Sequence, residues 1–130
     1  MLKVLIAGSR TIRDKEFIEK AILSFPYYQK DKGTYFLSGG AAGVDTIGID
    51  FIKKSTTHYE VILPEWEAYG KKAGMFRNKV LVSLCDCAII IWDGVSRGTK
   101  NTLSLLFKEK KPFVLYYYKK SVGEKNDQGI

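Results

Sequence analysis

The stretch Tyr35-Phe36-Leu37-Ser38-Gly39-Gly40-Ala41-Ala42-Gly43-Val44-Asp45-Thr46-Ile47-Gly48-Ile49-Asp50 decides the fold. An apolar run reaches Ser38, two glycines follow at once, and Gly43 opens a segment with apolar residues at Val44, Ile47 and Phe51, which is helical spacing. The pattern reads as strand, tight glycine turn, helix. Glycine suits such a turn because positive backbone dihedrals cost it little and because amides without a neighbouring Cβ can approach a ligand closely. Amides pointing out of the turn, with the positive end of the following helix behind them, make a site for an anion such as phosphate. A plainer reading stays open, in which the turn only packs helix on sheet. Gly39 to Gly43 is neither the G-x-G-x-x-G fingerprint nor the G-x-x-x-x-G-K-[ST] phosphate loop.

Outward from this unit, the same alternation recurs. Leu2 to Ala7 is an apolar strand followed by the turn Gly8-Ser9-Arg10 and, after Asp14, by Phe17, Ile18, Ala21, Ile22 and Phe25 at helical spacing. Pro26 ends that helix, and Tyr27 to Gly33 is a polar connection. Tyr59 to Leu63 is a third strand closed by Pro64, and Pro64 to Gly74 is a loop with a helical turn. Met75 to Leu84 is a helix, and Cys87 to Trp92 is the most apolar strand, as expected of a central one buried on both faces. A polar loop from Asp93 to Gly98, a last helix around Leu103 to Phe107, and a fifth strand from Phe113 to Tyr118 complete the series. The expected fold is α/β, a Rossmann-like three-layer α/β/α sandwich on a five-stranded parallel sheet, in one domain over residues 1–118 with a polar tail over 119–130.

Bulk properties narrow the function. The chain has 130 residues, long enough for a core without disulfide or metal staples, and a formal net charge of +7. Of its 21 basic residues 17 are lysines, spread over helix faces and the tail, and four are arginines. Arg10, Arg13, Arg77 and Arg97 all fall in or next to loops leaving the carboxyl ends of the strands, the edge where such sheets bind ligands. Guanidinium groups suit bidentate phosphate contact, so the arginines read as a phosphate-binding rim. Cys85 and Cys87 read as reduced, packed thiols. With one histidine in the chain no metal site is expected, and no cofactor. The longest apolar run is too short to span a bilayer, so the expected location is the cytoplasm, with no membrane partner.

Asp45 and Asp93 have turn chemistry as their default role. For Asp45 a ribose hydroxyl or a neighbouring arginine is the alternative partner. Trp66 and Tyr69 either stack on a base or cap a core edge or an oligomer contact. His58 carries no catalytic role.

These residues resemble the SLOG superfamily, named for the DprA (Smf) and LOG proteins, and within it the YspA or cpYpsA-related branch. The resemblance rests on Gly8-Ser9-Arg10, Ser38-Gly39-Gly40-Ala41-Ala42-Gly43-Val44-Asp45, Pro64-Glu65-Trp66 leading to Tyr69-Gly70, Ala73-Gly74-Met75-Phe76-Arg77-Asn78, and Gly98-Thr99, in that order. It implies a homo-oligomer that binds a nucleotide-derived small molecule. The implied ligand residues are Gly8, Ser9, Arg10, Ser38, Gly39, Gly40, Gly43, Asp45, Trp66, Arg77, Asn78, Arg97, Gly98 and Thr99.

LOG phosphoribohydrolases carry an arginine before strand four and then Pro-Gly-Gly-x-Gly-Thr-x-x-Glu. Arg77 and Gly98-Thr99 match, but the glutamate position is Thr102, and threonine is a poor substitute for the carboxylate that stabilises an oxocarbenium-like state. The expectation is therefore a binding module, with no catalytic residue assigned. It would sense or sequester an ADP-ribose-like or cyclic nucleotide signal, as in conflict between phage and bacterium. The alternatives are a LOG-like hydrolase of nucleoside 5'-monophosphates and DprA-like binding of single-stranded DNA.

Overall fold

The computed structural model describes residues 1–25, 33–56 and 58–119. The strands β1 (Leu2–Gly8), β2 (Thr34–Ser38), β3 (Tyr59–Val61), β4 (Cys87–Trp92) and β5 (Phe113–Tyr117) form one parallel sheet in the order β3-β2-β1-β4-β5. Helices α1 (Lys15–Leu23), α2 (Val44–Lys53), α3 (Trp66–Tyr69), α4 (Ala73–Leu84) and α5 (Arg97–Lys108) connect them, with a 3-10 turn at Gly70–Lys72 between α3 and α4. The fold is the expected α/β Rossmann-like sandwich. The connection expected over 27–33 and the tail expected over 119–130 lie, apart from Gly33 and Lys119, outside the described residues.

β1 is the middle strand, and β4, for which the sequence suggested a central place, lies beside it. Both are buried on two faces, and their period-two alternation feeds two cores. Val4, Ile6, Cys87, Ile89 and Ile91 face one way and pack with Ile18, Ile22, Val44, Ile49 and Ile52 of α1 and α2. Leu5, Ala7, Ala88 and Ile90 face the other way and pack with Leu81 and Val82 of α4 and Leu106 of α5. Apolar character alone cannot separate β1 from β4, because both are apolar runs buried on two faces.

Local signals explain the helix starts. Asp14 caps α1 by accepting the Phe17 amide at 3.0 Å. Gly43 caps α2 at φ 78°, in the left-handed region. Arg97, Gly98 and Thr99, expected in a loop, instead form the first turn of α5. Ser96 is its N-cap, and the turn leading to it is closed by Asp93, whose carboxylate accepts the Val95 amide at 2.9 Å and the Ser96 amide at 2.8 Å.

Topology positions the site. Chain leaves β1 toward β2 with its helices on one face, and returns past β1 to β4 with its helices on the other. The carboxyl ends of β1 and β4 therefore flank the point where strand order reverses, the crevice used for ligands in open α/β sheets. Among the described residues no helix is long and apolar enough to cross a membrane.

Two glycine substitutions should separate the constrained turn from the helix that follows β4. A Cβ at Gly43 would lie 2.5 Å from the Arg10 carbonyl oxygen, whereas one at Gly98 meets nothing within 4 Å. Gly43→Ala should destabilise by about 2 kcal/mol or more, and Gly98→Ala should be neutral or stabilising by roughly 0.5 kcal/mol, in chemical unfolding. Equal effects from the two would contradict this account of the turn.

Candidate functional site

The site is built on three loops at the carboxyl edge that are stitched to one another. Ser9 is the first stitch. Fully buried, it donates its amide to the Ile91 carbonyl at 3.0 Å, its hydroxyl accepts the Asp93 amide at 3.1 Å, and its carbonyl accepts the Val44 amide at 3.3 Å. One residue thereby joins the ends of β1 and β4 to the start of α2. Thr11 adds a bond from its hydroxyl to the Asp93 carboxylate at 3.2 Å.

Asp45 is the second stitch. Its two carboxylate oxygens accept the Gly8 amide and the Ala41 amide, each at 3.3 Å, so one side chain spans the first and second glycine turns. It is 6% exposed, and burial raises its pKa from the ordinary 3.8 to about 6, against the opposing pull of the Ala41 amide and the Arg77 charge. At neutral pH the carboxylate is ionised.

Close approach explains the glycines. A side chain at Gly8 would overlap the Ile91 carbonyl oxygen, and one at Gly39 would lie 2.6 Å from the Arg77 guanidinium. Ser38 completes the turn by accepting the Gly40 amide at 3.2 Å and donating to the Asp45 carbonyl at 3.4 Å.

Arg77 of α4 is the third stitch. It reaches back to donate through Nη1 to the Gly39 carbonyl and through Nε to Asn78 Oδ1 at 3.0 Å, and Asn78 in turn donates to Asn101 of α5 at 3.0 Å. Partial burial lowers the pKa of its guanidinium, with Asp45 opposing.

The residues singled out from sequence therefore separate by position. Gly8, Ser9, Ser38, Gly39, Gly40, Gly43, Asp45, Arg77 and Asn78 form the stitched frame. Arg10, Arg13 and Arg97 are exposed around it. Thr99 is buried with its hydroxyl 3.3 Å from the Ser96 hydroxyl, and Gly98 is helical. Thr102 is buried and donates to the Gly98 carbonyl at 3.2 Å, within its own helix. Trp66 stands apart on α3, 59% exposed.

Sequence reasoning missed Thr11, Ala41 and Asn101 as partners. Thr11 lies inside the Gly8 to Arg13 loop, which was the available signal. A cavity of about 120 Å³ also went unforeseen beside Arg77, walled by Ile62, Leu63, Tyr69, Phe76 and Val80 with Glu65 at its edge. No group of three or more metal-ligating side chains occurs among the described residues.

No family model matches the chain. It is similar to the Gene 61 protein of Mycobacterium phage D29, at 31% identity over 109 residues that span 79% of this chain and 86% of that protein. Among solved structures it is similar to DNA processing protein A from Helicobacter pylori, which is described as having a unique single-stranded DNA binding mode. The TM-score is 0.67 at 22% identity, over 88% of this chain and 64% of the other, a likeness of fold.

The Asp45 carboxyl binds its proton more tightly in the folded state than in the unfolded one. Its contribution to stability is thus fully present below about pH 4 and is lost as pH rises through about 6. Unfolding by urea in steps between pH 4 and 7 should show the wild type losing up to about 3 kcal/mol relative to Asp45→Asn. A pH-independent difference between the two would contradict the buried carboxylate.

Proposed function

We propose that this chain, which belongs to the family of the Gene 61 protein of Mycobacterium phage D29, binds single-stranded DNA along the carboxyl edge of its sheet. The observation that carries this reading is the fold, shared over 88% of the chain with DNA processing protein A, whose described property is a single-stranded DNA binding mode. DNA processing protein A is itself a SLOG protein, and this likeness supports placing the chain in that superfamily. The YspA-related branch is the finer assignment, supported by Ala73-Gly74-Met75-Phe76-Arg77-Asn78.

The physical case rests on placement of charge. Arg10, Arg13 and Arg97 stand exposed around the stitched loops, with Lys71 and Lys72 exposed on the turn before α4. Such groups suit a phosphate chain tracked along an edge. The cavity beside Arg77, about 120 Å³, has room for a fragment of a nucleotide such as one base. A hydrolase finds little support. Thr102, at the position of the hydrolase glutamate, bonds within its own helix, and Asp45 and Asp93 each hold two backbone amides that fix the loops.

A second reading is the sensor or sequestering module for an ADP-ribose-like or cyclic nucleotide, acting as a homo-oligomer in the cytoplasm. One observation favours it: the relative is encoded by a phage, the setting in which sequestering a host signal is useful. Fluorescence anisotropy separates the two. Single-stranded DNA should bind with strong salt dependence, and Arg10→Ala, Arg13→Ala or Arg97→Ala should each reduce the log-log salt slope by roughly 0.7. Thermal stabilisation by a mononucleotide-sized ligand, with no DNA binding at low salt, would transfer the assignment to the second reading.

A further inference from the structure

The cavity beside Arg77 is contiguous with the glycine turn yet differs from it in chemistry. Leu63, one of its walls, would lie 2.6 Å from a Cβ on Gly40, and Arg77, another, is bonded to the Gly39 carbonyl. One side of this wall is backbone and charge. The other side is apolar and aromatic, made by Leu63, Tyr69, Phe76 and Val80, with Glu65 as the acidic residue of its lining. Tyr69 and Phe76 meet edge to face with centroids 4.7 Å apart, which holds the Tyr69 ring in place although it is 50% exposed.

We propose that this cavity is a slot for one nucleobase of a strand whose phosphates run past the adjacent glycine turn along the exposed Arg10, Lys71 and Lys72, and that Glu65 biases it toward a base bearing an exocyclic amine. The proposal rests on the single-stranded DNA reading and adds a base subsite to it. Three features fit that occupant. The volume is that of a fragment such as one base. An exposed, braced ring offers a stacking platform, which accepts any base through its π face. The shared wall puts the apolar slot beside the glycine turn, against which the exposed Arg10 segment packs, as base and phosphate lie beside one another in a nucleotide.

Selectivity follows from the acceptor. A carboxylate accepts from the amine of cytosine but faces a carbonyl oxygen at the same place on thymine, where lone pairs oppose. Arg77 spends two of its five N–H donors inside the protein, on Asn78 and Gly39, and can only donate, so Glu65 is the acidic acceptor on the lining that can take a base amine.

Anisotropy titrations with oligo(dC) and oligo(dT) of roughly 15 nucleotides at one salt concentration test this. Oligo(dC) should bind several-fold tighter than oligo(dT), and Glu65→Gln should abolish the preference. Tyr69→Ala and Phe76→Ala should weaken both oligomers by about fivefold or more without changing the salt slope, while Tyr69→Phe retains affinity. Wild-type binding that is indifferent to Tyr69→Ala and Phe76→Ala overturns the slot and leaves the backbone reading intact. A concentration-dependent doubling of mass that those variants abolish, with DNA affinity unchanged, assigns the surface to a second copy of the chain and also overturns it. Absence of any binding to either oligomer removes the underlying DNA reading, and the slot with it.

Discussion

Everything at the carboxyl edge depends on one buried carboxylate held between two glycine turns. Asp45 takes the Gly8 amide on one oxygen and the Ala41 amide on the other, fixing the end of β1 against the turn after β2. A buried charge is costly unless its hydrogen bonds are satisfied, and here the satisfying groups are backbone donors of the two loops themselves. Charge and loop geometry are therefore one constraint. Moving either turn orphans the carboxylate, and ionising it in this buried place costs stability that its two amide bonds only partly offset.

The same economy extends outward from Asp45. Ser9 ties β1 to β4 and to α2, Asp93 closes the turn into α5, and Arg77 returns from α4 to the Gly39 carbonyl. Backbone carbonyls leave no room for a Cβ at Gly8 or Gly43, and a Cβ at Gly39 would push the Arg77 side chain from its place, which is why the turns are glycine-rich. The frame is rigid and internally spent. What remains for a partner is the exposed layer above it, the arginines at 10, 13 and 97 and the aromatic side chains of α3 and α4.

Much of this was legible in the sequence, for identifiable reasons. The β1 and β4 runs, the Asp14 cap and the Ser38 to Asp45 turn are local signals, set by residues a few positions apart. They gave the fold class and the edge on which the loops gather. Strand order was not legible, because β1 and β4 are equally apolar and only the crossovers place β1 in the middle. Nor was the true position of Arg77, which reads as a free phosphate clamp until its partner 38 residues away is seen to be a carbonyl. Thr99 was misplaced in a loop because the turn at Asp93 that leads into α5 lies ten residues before Leu103, where the apolar helical pattern becomes visible. In each case the deciding contact is long-range, or is a cap lying outside the periodic pattern.

Backbone amide chemical shifts during titration with single-stranded DNA test the central claim most directly. The account predicts that the largest changes fall on residues 8–13, 38–45 and 93–99, with the amides of β5 and of α1 beyond its first turn nearly unmoved. Shifts concentrated on β5 or α1, with those three loops unperturbed, would contradict it.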